Sequence, residues 1–144
     1  PFFVGGGAMS AGKGGFLNVH ADFNYHHKLQ SWRRINVLFY LTPNWKKNWG
    51  GNLEFWSKDK KRKIREIEPI FNRVIIFNTT SKSFHGQPKP LSCPKSVTRN
   101  VFSAFYYSSI KDKDSMSEPH FTRYGIKNNP YARKIIKDYK NQKS

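Results

Sequence analysis

His20, Asp22 and His85 are the residues whose side chains could together hold a metal ion. A single residue separates His20 from Asp22, and alternate side chains of an extended chain point to the same face, so both can reach one ion. His85 comes later, after a segment rich in strand-forming residues, and would lie on a neighbouring strand if the chain folds into a jelly roll. The pattern predicts one site with three protein ligands.

Two imidazoles and one carboxylate form a facial triad, which leaves three adjacent positions open on an octahedral ion. This ligand set suits non-haem Fe(II), because a bidentate cosubstrate and oxygen need those three positions. The His-x-Asp pair taken alone is also compatible with an ordinary polar pair at a strand end. A later histidine followed by an arginine makes the joint pattern much more specific. We therefore interpret His20, Asp22 and His85 as catalytic iron ligands.

Arg99 and Tyr40 are the candidates for binding a cosubstrate. A dioxygenase that uses 2-oxoglutarate needs a cation, preferably a planar guanidinium, to hold the far carboxylate of that molecule. Arg99 lies fourteen residues after His85 at the start of a strand-like segment, where a buried arginine would be costly without an anion. Tyr40 lies within an apolar strand and could give the same carboxylate a second hydrogen bond.

The elements that must position these residues are predicted to be short strands. Apolar and aromatic segments alternate with turns that contain Gly, Pro and Asn, which is typical of a β-sandwich or jelly roll. We predict an all-β core with strands at Phe16–His20, Arg34–Leu41, Asn52–Trp56, Ile64–Ile67, Arg73–Asn78, Phe84–Gly86 and Thr98–Tyr107. The basic run Lys58–Lys63 is predicted to be an exposed hairpin tip.

Both ends of the chain have a different composition. The glycine-rich residues Pro1–Gly15 suggest a flexible or tightly turning approach to the first strand. A short C-terminal helix is predicted from Asn129 as its cap, Pro130 at its first position, and an apolar stripe of Tyr131, Ile135 and Tyr139. We expect residues 1–108 to form the jelly-roll domain and residues 109–144 to form a basic extension containing that helix.

The charge raises the question of an acidic partner. The chain has 26 Lys and Arg against 9 Asp and Glu, a formal net charge of +17, which is compatible with nucleic-acid binding but does not require it. The excess is spread along the chain and is mostly Lys, so biased composition explains it equally well. No apolar run is long enough for a membrane helix, and the single cysteine, Cys93, excludes an internal disulfide, so we expect a cytoplasmic protein without a membrane partner.

The sequence also resembles the prolyl-4-hydroxylase-like family of Fe(II)- and 2-oxoglutarate-dependent dioxygenases, from about Gly5 to Tyr107. The resemblance implies a double-stranded β-helix, iron bound by His20, Asp22 and His85, and 2-oxoglutarate bound by Arg99 and Tyr40. It also implies that a C–H bond of a substrate is hydroxylated, and that ascorbate maintains the iron. The segments that carry it are GGFLNVHADFN, RRINVLFYLTPNW, WGGNLEFW, IEPIFNRVIIFNTT, FHGQPKPLSCP and TRNVFSAFYY.

The sequence departs from the family pattern in two places. Many relatives have a tyrosine ten residues before the first iron-binding histidine, to contact the cosubstrate, and this chain has Ser10 there. Relatives also carry N-terminal helices on the larger sheet, and we expect these to be missing because nothing precedes Pro1.

The substrate stays open between a peptidyl residue and a small molecule, and two alternative functions remain. One is a nucleic-acid oxidative demethylase, although relatives of that kind have a second arginine six residues after the first, where this chain has Phe105. The other is a non-catalytic jelly-roll module that binds an acidic partner through its basic surface.

Overall fold

The computed structural model describes residues 4–114 and 116–124. The predicted C-terminal helix lies outside these residues. Among the described residues, no helix is long and apolar enough to cross a membrane.

The described residues form an all-β structure of short antiparallel strands. A single turn of 3₁₀ helix, Lys47–Trp49, lies between the fourth and fifth strands. The strands are β1 (Gly7–Ala11), β2 (Leu17–Ala21), β3 (Tyr25–His26), β4 (Ser31–Tyr40), β5 (Leu53–Trp56), β6 (Lys63–Ile67), β7 (Val74–Asn78), β8 (His85–Gln87), β9 (Arg99–Ser108) and β10 (Arg123–Tyr124).

The strands are arranged in two five-stranded sheets. The larger sheet has the order β1-β9-β4-β3, with β7 also paired to β4, and it is built around the long pair β4 and β9. The smaller sheet has the order β10-β2-β8-β5-β6. Most neighbours in these sheets are distant in sequence, as in a jelly roll, where successive strands alternate between two facing sheets. The predicted double-stranded β-helix is confirmed.

A compact apolar cluster fills part of the space between the sheets. Its buried members are Tyr40, Leu53, Ile75 and Val101, which come from β4, β5, β7 and β9. In β7 the burial follows the period of two expected for a strand with one face on the core: Ile75 is 7% exposed and the next residue, Ile76, is 67% exposed. The cluster thus joins the larger sheet to β5 of the smaller one.

The seven predicted strands are all present, with ends that differ by no more than three residues. The expectation of a flexible N-terminal approach is wrong for Gly7–Ala11, because these residues form β1 and pair with the whole of Arg99–Ser103 in β9. Gly6 makes this contact possible, since a Cβ atom there would lie 2.6 Å from the Ser103 carbonyl oxygen. Two-residue strands such as β3 and β10 are too short for any periodic pattern and were not predicted.

The core cluster generates a stability prediction. Ile75→Ala removes buried methylene groups and leaves a cavity, so we expect a loss of about 2–5 kcal/mol in the free energy of unfolding, measured by urea denaturation. Ile76→Ala is the matched control on the same strand, and we expect a change within about 0.5 kcal/mol because its side chain is mostly exposed. Equal losses in both variants would contradict this assignment of the core.

Candidate metal centre

The two candidate histidines face each other across neighbouring strands of the smaller sheet. His20 in β2 is directly opposite His85 in β8, and their ring centroids are 4.6 Å apart. Residues that pair directly across two strands project from the same face of the sheet. The antiparallel register therefore brings together two side chains that are 65 positions apart in the sequence.

Each imidazole is oriented by a hydrogen bond to the main chain. The Nδ1 atom of His20 lies 2.7 Å from the carbonyl oxygen of Asn18, and that of His85 lies 2.9 Å from the carbonyl oxygen of Ser83. A carbonyl can only accept, so in both rings Nδ1 carries a proton, and Nε2 is the nitrogen that faces Asp22 and would bind a metal ion once it is deprotonated. Metal-binding histidines commonly have this arrangement, in which the second nitrogen fixes the tautomer and the ring plane.

Gly86 allows the strands that carry the histidines to approach closely. A Cβ atom at this position would lie 2.9 Å from the carbonyl oxygens of both Leu17 and Asn18 in β2. Real Cβ contacts with backbone atoms essentially never become so short. Any larger residue at position 86 would push β8 away from β2 and separate His85 from His20.

Asp22 completes the cluster immediately after the end of β2. Its Oδ1 atom is 3.4 Å from the Nε2 of His20, and its Oδ2 atom is 3.5 Å from the Nε2 of His85. The candidate ligand atoms of the three residues all lie within 4.8 Å of one another. All three residues are buried, with exposed fractions of 6%, 8% and 5% for His20, Asp22 and His85. The structure therefore brings together the complete ligand set that the sequence predicts.

The electrostatics of the cluster favour the protonation states that bind metals. Burial alone would raise the pKa of Asp22, but its hydrogen bond to His20 and the charge of Arg33 outweigh burial and hold the pKa well below the usual range. Burial lowers the pKa of His85 to about 4, although the neighbouring Asp22 opposes the shift. A charged carboxylate and a neutral imidazole are the forms in which these groups donate an electron pair to a cation.

Arg33 and Asn36 also contact the carboxylate, and the sequence pattern did not identify them. Arg33 Nη2 lies 3.1 Å from Asp22 Oδ2, and the Asn36 side-chain amide donates a 2.7 Å hydrogen bond to the same oxygen. Both residues are on β4 and are 3% and 2% exposed. The sequence did contain a signal for these two residues, because a charged side chain and an amide side chain stand within an otherwise apolar strand. Such groups are buried only when they have hydrogen-bond or charge partners.

Arg99 and Tyr40 lie in the same cavity as the three candidate ligands. The cavity has a volume of about 140 Å³. Arg99 is fixed by a 2.6 Å hydrogen bond from Nη1 to the carbonyl oxygen of Gly51, and its guanidinium carbon is 6.0 Å from the centre of the Tyr40 ring. Burial lowers the pKa of Arg99 and raises that of Tyr40.

The Nε atom of Arg99 is buried and has no hydrogen-bond partner among the described residues. A buried donor without a partner costs free energy, and the cost is larger for a charged group. An anionic ligand in the cavity would supply the missing acceptor. The buried, unpaired Nε of Arg99 therefore fits a carboxylate bound in the cavity.

Three polar residues near the site in sequence lie outside the cluster. Ser10 is exposed on β1, whereas the preceding residue, Met9, lines the cavity. His26 and His27 line a separate groove and do not belong to the metal-binding cluster of the described residues. The position expected to hold a cosubstrate-binding tyrosine therefore points away from the cavity, because alternate residues of β1 face opposite sides of the sheet.

The segment after β9 packs beside the metal centre. Asn24, two residues after Asp22, donates hydrogen bonds to the carbonyl oxygens of Ser117 and Glu118 and accepts one from the main-chain NH of His120. β10 then pairs with the end of β2 and brings the Tyr124 ring to 5.9 Å from the His20 ring. The described part of the predicted extension thus forms one edge of the site.

A buried cluster of two histidines and one aspartate in a jelly roll, with an arginine in the same cavity, defines the class of mononuclear metal oxygenases that bind an anionic cosubstrate. The family model of the 2OG-Fe(II) oxygenase superfamily matches residues 6–107 of this chain. The chain belongs to that superfamily. The matched range contains all three candidate metal ligands and both candidate cosubstrate-binding residues.

The chain is also similar to several prolyl hydroxylases. It is 28% identical over 96 residues to prolyl 3-hydroxylase OGFOD1 of Mus musculus and 30% identical over 64 residues to that of Xenopus laevis. These alignments cover 63% and 42% of this chain but only 17% and 12% of the relatives. The chain therefore spans less than a fifth of the length of these curated relatives.

Two solved structures are similar in fold. One is a prolyl hydroxylase from Trichoplax adhaerens in complex with a hypoxia inducible factor oxygen degradation domain peptide fragment, with 24% identity and a TM-score of 0.52. The other is a prolyl 4-hydroxylase from Phytophthora capsici, with 22% identity and a TM-score of 0.50. The matches cover 69% and 70% of this chain and 41% and 30% of those chains.

The cluster generates a prediction for metal binding. Asp22→Ala removes one of three ligands, so we expect the affinity for Mn(II), measured by isothermal titration calorimetry, to fall by more than about 100-fold, the upper range for residues that only support ligands. His27→Ala removes an imidazole five residues away that lies outside the cluster, and its affinity should stay within about threefold of the wild type. Similar losses in both variants would refute the assignment.

Proposed function

We propose that this chain is the catalytic domain of an Fe(II)- and 2-oxoglutarate-dependent dioxygenase that hydroxylates a C–H bond. The observation that carries the proposal is the presence, in one buried cavity, of the His20, Asp22 and His85 cluster and an arginine with an unpaired Nε. Membership of the 2OG-Fe(II) oxygenase superfamily supports the same function.

The donor set fits the metal. Two imidazole nitrogens, which are deprotonated when they bind, and one ionised carboxylate are the ligands that non-haem Fe(II) oxygenases use. His20, Asp22 and His85 would hold the ion. When bound, the iron supplies the oxidative chemistry by which 2-oxoglutarate and oxygen give succinate, carbon dioxide and a hydroxylated product.

Arg99 and Tyr40 would bind and orient the cosubstrate. A guanidinium presents paired donors that match a carboxylate, and Arg99 is held rigidly by Gly51, so little side-chain freedom is lost when an anion binds. Tyr40 is buried, with 2% of the residue exposed, and its hydroxyl could give the same carboxylate another hydrogen bond. Leu38, Leu53 and Val101 line the cavity and exclude water, which strengthens these interactions.

The proposal includes ascorbate as an external reductant that returns oxidised iron to Fe(II). A metal that must stay Fe(II) can be lost to oxidation when no substrate is present, and a small reductant would reverse this. The dependence of activity on ascorbate is therefore part of the assay.

A groove beside the metal centre is the proposed substrate-binding surface. It has a volume of about 790 Å³ and contains apolar, aromatic and histidine side chains, with Phe23, the residue after Asp22, in its wall. We call it the Phe23 groove, and its lining includes Phe23, Tyr25, His26, His27, Leu29, Pro119, His120 and Phe121. Grooves of this size that combine aromatic side chains with a few polar groups are typical of ligand sites.

We propose a peptidyl substrate for this groove. β3 forms one wall and is an edge strand of the larger sheet, so its outer backbone groups are available to an extended peptide. Phe121 is 84% exposed, which is unusual for a large apolar side chain unless it contacts a partner. The similar Trichoplax adhaerens protein is described in complex with a peptide fragment.

The activity is tested first by anaerobic addition of Fe(II) and 2-oxoglutarate, followed through the metal-to-ligand charge-transfer absorption. We expect the band in the wild type, and succinate formation when oxygen, ascorbate and proline-containing peptides are added. A folded chain that binds Fe(II) but gives neither the band nor succinate would refute the proposal.

Arg99→Ala should weaken cosubstrate binding without affecting the metal. Hydrogen bonds to charged groups contribute about 1.5–3 kcal/mol, so we expect the Kd for 2-oxoglutarate to rise about 10- to 100-fold in the presence of Mn(II). Arg62→Ala is the matched control, since it removes an exposed guanidinium at the tip of the β5–β6 hairpin. An unchanged Kd in Arg99→Ala would exclude Arg99 as the carboxylate-binding residue.

Phe121→Ala should impair only the use of a peptide substrate. The side chain is mostly exposed, so its removal should leave stability and 2-oxoglutarate binding unchanged and raise the KM of a peptide that the wild type hydroxylates. Ile110→Ala is the control, because Ile110 is 76% exposed and does not line the groove. Wild-type KM in both variants would place the substrate elsewhere.

A further inference from the structure

The two side chains of β4 that contact Asp22 approach the same carboxylate oxygen. Asn36 Nδ2 donates to Oδ2 at 2.7 Å, and Arg33 Nη2 lies 3.1 Å from Oδ2. The other oxygen, Oδ1, faces the Nε2 of His20 at 3.4 Å. Oδ2 also faces a candidate ligand, since it lies 3.5 Å from the Nε2 of His85. The two oxygens are still not equivalent, because only Oδ2 is approached by donors from the larger sheet.

Asn36 is itself fixed in its orientation. Its Oδ1 atom accepts hydrogen bonds from Arg33 Nε at 2.9 Å and from the Thr79 hydroxyl at 3.1 Å. An oxygen that accepts two hydrogen bonds defines which end of the amide is the oxygen, so the amide nitrogen must point toward Asp22. Thr79 is 1% exposed, which leaves this network shielded from solvent.

Arg33 has no freedom to leave the carboxylate. Its guanidinium carbon is 3.4 Å from the centre of the Phe105 ring and 4.8 Å from the centre of the Phe23 ring. A guanidinium held between aromatic rings and an anion gains from cation–π attraction as well as from its ion pair. Phe105 occupies the position considered for a second arginine, and it contacts a guanidinium that comes from β4 instead.

A carboxylate can bind a metal ion through one oxygen or through both. On an octahedral ion with two histidine ligands, one-oxygen binding leaves three open positions, and two-oxygen binding leaves two. Two positions would accommodate a bidentate cosubstrate and leave none for oxygen. The orientation of Asp22 therefore decides whether the site can support the proposed reaction.

We propose that Arg33 and Asn36 are positioning residues whose donors occupy the lone pairs of Asp22 Oδ2, so that Asp22 binds the metal through Oδ1 alone and three positions stay open. The inference rests on the proposed function only in requiring a metal at this site. Charge compensation by itself needs only the cation of Arg33. The neutral Asn36, which makes the shorter contact to the same oxygen, is explained by orientation rather than by charge.

The proposal is tested by counting the water molecules on bound Mn(II), from the paramagnetic relaxation of water protons, in the full chain without 2-oxoglutarate. We expect about three waters in the wild type and about two in Asn36→Leu and Arg33→Met, because the freed Oδ2 then binds the metal. The relaxation enhancement per bound ion should fall by about a third. Metal affinity, measured in parallel, should be retained, since one ligand atom replaces one water.

Arg34→Met is the matched control. Arg34 is the adjacent arginine, pairs with Asp112 and lies outside the cavity, so this variant should keep about three waters. A folded Asn36→Leu or Arg33→Met variant that keeps three waters on the metal would overturn the proposal. So would a wild-type protein with only two waters, or a decrease in Arg34→Met equal to that in the other variants. A role in stability alone would lower metal affinity or the unfolding temperature without changing the water count.

Thr79→Val is a milder variant that decides the question if both buried variants fail to fold. It removes the hydroxyl that donates to Asn36 and contacts Asp22 only through Asn36, so a decrease in the water count supports the proposal and an unchanged count overturns it. Because the measurement uses Mn(II) without cosubstrate or turnover, a negative result is distinct from failure of the dioxygenase assignment, which would appear in the charge-transfer and succinate experiments.

Discussion

The buried carboxylate of Asp22 is the interaction on which the site depends. A charge removed from water must be compensated by partners in good geometry, or the group becomes neutral. Here the compensation comes from both layers of the fold, with His20 and His85 from the smaller sheet and Arg33 and Asn36 from the larger one. The candidate metal centre therefore forms only when the two sheets face each other in the correct register.

The two arginines of the cavity differ in how well their donors are satisfied. Arg33 is paired with an anion, bonded to an amide and stacked against aromatic rings. Arg99 is bonded to one backbone carbonyl and keeps a buried Nε without a partner among the described residues. An arginine that is already satisfied holds neighbouring groups in place, whereas an unsatisfied one is prepared for a ligand. This difference supports the positioning role proposed for Arg33 and the binding role proposed for Arg99.

Most strands and the complete candidate ligand set could be predicted from the sequence. The strand patterns of β4, β5, β7 and β9 are strong because each combines apolar residues with a defined turn. β1 was missed because its glycine, alanines and serine have low strand propensity, and pairing with β9 stabilises it. Spacing to His20 showed only that Ser10 stands where many relatives have a tyrosine. Which residue of β1 faces the cavity depends on the register of β1, and Met9 lines the cavity.

The amino-acid sequence alone shows which chemical groups are available and which of them share a face within one strand. The two-residue period of an extended chain is a local property, so His20 and Asp22 could be paired without knowledge of the fold. The tertiary structure decided that His85 lies opposite His20, that Arg33 and Asn36 hold one oxygen of Asp22, and that Arg99 lacks a partner for Nε. These facts depend on strand register and on hydrogen bonds between residues far apart in the chain, and no local pattern encodes such distances.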